Sequence, residues 1–216
     1  MKIGTDGLVL GALAPCEGAL QVLEVGTGTG VVSLMLAQRF PGIEITTLEI
    51  DEAAASEATQ NVQGSPFSDR IEVTNTSFQS FLSDHQFDHI VSNPPFFQES
   101  LRSPRYQRSL ARQDHGLSIF YLMDGGKRLL KPGGKMTIIW PYDRKEEFFD
   151  TAHDVALHPE QMTHLYTKPD REAKRIIVTL GHKETEMETN QLTVEDAFGE
   201  YSDDYKELLK DFLLIF

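Results

Sequence analysis

Asn93-Pro94-Pro95-Phe96 closes the run Phe87-Asp88-His89-Ile90-Val91-Ser92, and its residue types suit one kind of chemistry. An amino group on an aromatic ring is a poor nucleophile because its lone pair is delocalised into the ring. Two acceptors, the Asn93 side-chain oxygen and the Pro94 carbonyl, would hold both N–H groups and let the nitrogen turn its lone pair toward an incoming methyl. Pro94 and Pro95 fix the backbone and remove amide donors, so the turn presents its carbonyls in a rigid shape. Phe96, with Phe97 beside it, offers a flat face for such a ring, as when enzymes take a base out of its stack. Taken alone, the tetrapeptide also fits a proline-rich strand exit with a core phenylalanine.

A second motif lies upstream. Leu20 to Val25 reads as a buried strand that runs into Gly26-Thr27-Gly28-Thr29-Gly30 and then an apolar-periodic helix from Val31 to about Phe40. Glycines let a backbone turn sharply from strand to helix and let a ligand approach closely. The dinucleotide fingerprint is excluded, because its third glycine would fall where Val31 stands. Ile43 to Leu48 is a second strand ending at Glu49, and an acid at that tip can take both ribose hydroxyls of an adenosine or stand as a solvated loop carboxylate. Asp51 is the expected N-cap of a helix over Glu52–Val62.

The remaining pattern supplies the scaffold. Arg70 to Asn75 is a third strand leading into Thr76-Ser77-Phe78. Ser118 to Leu130 reads as a helix, Lys131-Pro132-Gly133-Gly134 as a turn, and Lys135 to Trp140 as a strand. Asp143 to Ala152 is an expected helix, with strands over Val155–Thr167 and Arg175–Leu180. Strands alternating with helices imply a parallel sheet.

Composition limits the function classes. At 216 residues and 40% apolar content the chain can bury one substantial core. No run approaches the roughly 18 apolar residues of a membrane span, and the opening residues lack the pattern of a signal peptide. One cysteine, Cys16, precludes an intramolecular disulfide framework, and seven scattered histidines make no metal-binding pattern, so no metal is expected. A reducing cytoplasm fits best. The net charge of −13 argues against indiscriminate nucleic-acid binding, although Glu184 to Asp211 carries ten acids against two bases and so most of that excess. After the Asn-Pro-Pro-Phe turn the balance reverses. Arg102, Arg105, Arg108 and Arg112 lie in a long polar connection suited to gripping phosphates, to a surface loop with local ion pairs, or to a lid over a ligand. Lys168, Arg171, Lys174 and Arg175 form a second basic group, which would extend an RNA surface or simply protect a sheet edge.

The alternating glycines preceded by Glu24 resemble motif I of the class I S-adenosylmethionine-dependent methyltransferases, and the order of glycine loop, ribose acid, Ser77-Phe78 and Asn-Pro-Pro-Phe matches that family. The Leu-Lys-Pro-Gly-Gly turn at 130–134 is habitual there too. The segments from Met1 to Ala12 and from Gly199 to Leu213, with Ala111-Arg112, further resemble the bacterial tRNA(Val) (adenine-N6)-methyltransferases. That likeness covers nearly the whole chain. It implies an α/β fold, Rossmann-like and doubly wound, with a seven-stranded sheet, mostly parallel with an antiparallel edge strand. It also implies a single domain over 1–216: a helical cap over 1–19, the core sheet over 20–182 and an acidic extension over 183–216 packing on the core.

The resemblance assigns roles as expectations. S-adenosylmethionine is the expected cofactor, held by Glu24, Gly26, Thr27, Gly28 and Gly30, by Glu49 and Ile50, and at the adenine amine by Ser77 and the Phe78 backbone. Asn93 touches cofactor and substrate alike. Thr5, Asp6 and Gly7 help to close the site; their other reading is a plain turn and N-cap before a helix over Leu8–Leu13. Asn93, Pro94, Pro95 and Phe96 are the catalytic residues; Lys2, Phe97 and the four arginines at 102, 105, 108 and 112 contact RNA. The implied substrate is the adenosine 3′ of the anticodon of tRNA(Val), methylated at N6 by a monomeric, non-membrane enzyme. Family members usually carry a strand with basic and aromatic residues ahead of the Met-Lys pair at which this chain begins, so RNA affinity is the property expected to depend on it. The same tetrapeptide also serves methylation of protein glutamine, ribosomal-RNA guanine and DNA adenine. A cofactor-binding scaffold without activity is the non-enzyme alternative.

Overall fold

The computed structural model of the protein describes residues 4–95 and 117–214. Lys2, Phe96, Phe97, Arg102, Arg105, Arg108 and Arg112 lie outside the described residues. Among the described residues, eight strands form one sheet in the order β3-β2-β1-β4-β5-β7-β6-β8. They are β1 (Gln21–Val25), β2 (Glu44–Glu49), β3 (Ile71–Asn75), β4 (Phe87–Ser92), β5 (Leu130–Pro141), β6 (His158–Tyr166), β7 (Ala173–Gly181) and β8 (Glu188–Thr193). The first five are parallel neighbours, and β7 runs antiparallel to both β5 and β6. Val22 to Val25 are all buried, the near-continuous apolar run demanded of a parallel strand covered on both faces.

All seven expected strands are present, and β8 adds an eighth beyond the β6–β7 hairpin, pairing parallel to β6. Glu188-Thr189-Asn190-Gln191 is polar and exposed, so no alternation marks it in the sequence; pairing to β6 makes it a strand. β5 begins earlier than expected. Phe87 pairs with Leu130, His89 pairs with Lys135, and the Lys-Pro-Gly-Gly segment bulges out between them. Gly133 there has φ of +83°, a backbone that glycine takes without strain. Lys131 reaches back to both Asp88 oxygens, at 2.8 and 2.9 Å, and one of the two also accepts from the Leu20 and Gln21 amides.

The helices are α1 (Thr5–Leu13), α2 (Val31–Arg39), α3 (Glu52–Gln63), α4 (Ile119–Leu129), α5 (Lys145–Asp154) and α6 (Asp203–Leu209). Asp51 caps α3 by accepting from the Ala54 amide, as its type and position predict. α1 starts three residues earlier than the pattern suggests: Thr5 and Asp6 are in its first turn, and Gly4 is the N-cap with no side-chain bond. Residues 143–144 belong to a single helical turn, Tyr142–Arg144, ahead of α5, and the chain at 155–157 is a turn through Ala156, whose φ is +52°.

Two apolar layers result. α1, α2 and α6 cover one face of the sheet around Val22, Ile45, Val91 and Ile177. α4 and α5 cover the other around Leu23, Ile90, Ile138 and Val178. α1 lies close on α2 because Gly7 and Gly11 have no side chain; a Cβ at Gly11 would stand 2.9 Å from the Met35 sulfur. No described helix is long and apolar enough to cross a membrane.

Candidate active site

The parallel strands end along one edge of the sheet, the usual place for ligands in open α/β sheets. At the β1 end, Gly26, Gly28 and Gly30 have φ of +80°, +57° and +83°. The alternating spacing therefore has a conformational cause: every second residue is left-handed. The Gly26 and Thr27 amides both bond the Leu48 carbonyl, at 2.9 and 3.1 Å, which pins the loop to the end of β2. Gly30 packs against Ala58 of α3, and the Asn61 side chain donates through Nδ2 to the Thr29 carbonyl at 2.9 Å.

Glu24 lies beneath this loop and is buried. One of its oxygens accepts from the Thr27 hydroxyl at 2.7 Å and from the Ser33 hydroxyl of α2. Burial pushes the Glu24 carboxyl up to about 7, against the downward pull of the two hydroxyls. Its visible work is to tie the loop to α2. Ser33, a lone hydroxyl on the buried side of a helix, carried no signal beyond that misfit.

Glu49 ends β2 and is 9% exposed. Its two carboxylate oxygens accept separately, from the Gly28 amide at 2.8 Å and the Asp51 amide at 3.0 Å. The Asn75 side chain holds the Glu49 carbonyl at 2.8 Å. Each carboxylate oxygen so engaged keeps a further lone pair, and the group is fixed in direction. Ile50 beside it is 74% exposed.

The β4 end meets the glycine loop directly. Ser92 pairs with Val25, and its hydroxyl donates to the Val25 carbonyl at 2.8 Å. A Cβ on Gly26 would stand 3.9 Å from the Asn93 carbonyl oxygen. Asn93 is half-buried, Pro94 buried and Pro95 exposed. Loop and turn thus face each other across a narrow gap.

Other expected contributors sit differently. The Ser77 hydroxyl is occupied, accepting from the Ser80 amide and donating to the Ser80 hydroxyl as the cap of a short helical turn. The Phe78 ring points into the core, where a Cβ on Gly125 would meet it at 2.7 Å. At α1, Gly7 packs on Val31, the first residue of α2, so the start of α1 lies beside the exit from the loop. Asp6 accepts from Arg175 of β7 at 2.8 Å, a contact between residues 169 positions apart. Among the described residues no cluster of His, Cys, Asp or Glu could hold a metal ion.

Comparison with known proteins agrees with this arrangement. The model of the methyltransferase small domain family matches residues 3–155. A tRNA1(Val) (adenine(37)-N6)-methyltransferase of Bacteroides thetaiotaomicron is 43% identical over 215 residues, covering 99% of this chain and 91% of the relative. The protein of the same description from Pedobacter heparinus is 36% identical over 216 residues, covering 100% and 92%. Among solved structures, a predicted O-methyltransferase from Agrobacterium tumefaciens superposes with a TM-score of 0.70 at 18% identity, covering 95% of this chain and 96% of that one, a likeness of fold alone. The chain belongs to the methyltransferase small domain family and, within it, to the family of the tRNA1(Val) (adenine(37)-N6)-methyltransferases.

Proposed function

We propose that the protein transfers a methyl group from S-adenosylmethionine to N6 of adenine 37 in tRNA1(Val), the reaction for which its relatives are named. The observation that carries this reading is the junction of the two motifs. Ser92 ties the end of β4 to the end of β1, so the Asn93 turn opens onto the glycine loop. The loop suits an adenosine-bearing cofactor: positive φ angles favour residues without a side chain at 26, 28 and 30, and a Cβ on Gly26 would stand against the Asn93 carbonyl. The fixed Glu49 carboxylate suits a ribose diol.

When bound, S-adenosylmethionine supplies an electrophilic methyl group on sulfur. The chain's own part is orientation. Glu49 and the loop from Gly26 to Gly30 would hold the donor, with Ile50 offering apolar contact. Glu24 and Thr27 stiffen the loop, while Thr5, Asp6 and Gly7 border it at the start of α1. Ser77, its hydroxyl already used, would contribute through the backbone it shares with Phe78. The Asn93 oxygen and the Pro94 carbonyl accept from the target amine and aim its lone pair, so positioning and polarisation contribute most of the rate. Phe96 as a stacking face, and Lys2, Phe97 and the arginines at 102, 105, 108 and 112 as RNA contacts, complete the proposal. Residues 1–216 act in this reading as one methyltransferase domain, which a sheet that continues unbroken into β8 supports, and the enzyme works as a monomer in the cytoplasm.

The test is methyl transfer from labelled donor to tRNA, ribosomal RNA, DNA and release factor, with the product nucleoside mapped by mass spectrometry. N6-methyladenosine next to the anticodon is expected; label in any other acceptor alone would refute the assignment. Asn93→Ala should lower turnover by about two orders of magnitude or more while leaving donor affinity nearly intact. Equal loss of both would remove Asn93 from its catalytic role.

A further inference from the structure

We infer that Tyr142, His164 and Tyr166 form a stacking platform for unpaired nucleotides of the RNA substrate that flank the target adenine, an inference that rests on the proposed tRNA reaction and extends it to how the RNA is held. β6 is antiparallel to β7, which is antiparallel to β5, which is parallel to β4. The far end of β6 therefore lies on the same sheet edge as Asn93. Tyr142 follows the last residue of β5, the strand next to β4, and its ring meets His164 at a centroid distance of 5.6 Å. His164 in turn meets Tyr166 at 6.3 Å. The row runs outward along the edge, beginning one strand from the catalytic turn.

All three rings are half-buried, so each is anchored on the sheet yet keeps surface in solvent. They lie on the face covered by α4 and α5, since His164 follows the inward-facing Met162 by two residues. α4, on the same face, opens with a further exposed ring pair, Phe120 and Tyr121, at 5.9 Å. Lys145 stands beside the row, donating to the Tyr142 hydroxyl at 2.9 Å with its ammonium 4.3 Å from the ring centroid. Glu146 and Glu172 are its acidic neighbours. Burial and Lys145 hold His164 below its ordinary pKa, so it presents a neutral ring at neutral pH.

The occupant follows from this chemistry. A chain of net charge −13 cannot collect RNA by its whole surface, so contact must be local and must gain from more than charge. Aromatic rings on a rigid sheet with a cation alongside accept any base face, the mode used for single-stranded nucleic acid. Duplex RNA offers no free base faces, so the platform selects a loop.

The experiment measures binding of a synthetic anticodon stem-loop, with an unmodified adenine 3′ of the anticodon, across a salt series by fluorescence anisotropy. Tyr142→Leu and Tyr166→Leu keep apolar cover but remove the π-face; each should weaken binding about tenfold. Their salt slope should stay unchanged, because a ring releases no counterions. Tyr142→Phe and Tyr166→Phe should bind within about twofold of the starting protein. Donor affinity and melting temperature, measured on the same samples, verify that the fold is kept. Lys145→Gln, at an accessible position, should reduce the salt slope by about 0.7. Unchanged affinity in folded leucine variants, or an unchanged slope in Lys145→Gln, overturns the platform while leaving methyl transfer by the unaltered protein to stand. An unaltered protein that neither binds nor methylates the stem-loop overturns the proposed reaction and the platform together.

Discussion

Two buried titratable side chains, one beneath the glycine loop and one farther along the sheet, solve the same problem in opposite ways. Glu24 ends in hydroxyls that can serve either protonation state, and burial raises it to about 7, so it can change charge near neutrality. His89 of β4 bonds the Thr137 hydroxyl at 2.8 Å, which meets Thr179 at 2.9 Å, a closed polar chain through the strands β4, β5 and β7. Burial and Lys135 push His89 down to about 3, so it stays neutral. The loop flank thus keeps an adjustable charge beneath the glycine loop, whereas the neighbouring flank holds a neutral brace. Polar burial ties the glycine loop to α2 in the first region and braces neighbouring strands in the second.

The largest test of that contrast is stability against pH. Glu24 has a folded pKa above its unfolded value of 4.5, so the folded state holds the extra proton between about 4.5 and 7, and stability falls as pH rises through that window. The amount is on the order of 3 kcal/mol. His89 has a folded pKa below its unfolded 6.5, so stability is lost as pH falls from 6.5 toward about 3, by a comparable amount. Urea melts at several pH values should show Glu24→Gln flattening the loss toward neutral pH and His89→Gln flattening the loss toward acid. If either variant leaves its own limb unchanged, the assignment of that limb is wrong.

Next in size is Glu49→Ala. Loss of a charge-assisted contact costs about 1.5–3 kcal/mol, so calorimetry should show donor affinity down by about ten- to a hundredfold. An unaltered affinity would take Glu49 out of the ribose site. The smallest effect is expected from Ser92→Ala, which deletes the hydroxyl joining β4 to β1. About 1 kcal/mol of stability should go, with turnover reduced more than donor affinity, because the Asn93 turn and not the loop loses its tether. A drop in donor affinity without a drop in turnover would reverse that order.

Much of the loop flank was readable in the chain. Gly26, Gly28 and Gly30 announce their backbone because left-handed residues at alternate positions favour glycine, and Asp51 announces a helix start because its carboxylate satisfies a free amide. The pattern also puts Glu49 at a strand tip, where β2 ends. The outer flank was far less open to reading. β8 has no alternating pattern, and the bulge at Lys131–Gly134 conceals the true start of β5. The Ser77 hydroxyl closes a turn three residues on, a partner that the sequence does not indicate. A short polar side chain has several possible partners, and the sequence does not rank them.

The residues alone determined the order of the motifs, the alternation of strand and helix, and the chemistry available at Asn93, Glu49 and the glycines. These are local properties, set by backbone sterics, period and functional-group type. Tertiary structure alone decided which of those groups meet. Ser92 reaches Val25, Arg175 reaches Asp6, and Tyr142, His164 and Tyr166 fall into one row. Such contacts depend on strand order and register, which arise from the packing of both faces of the sheet at once. No window of the chain contains that information.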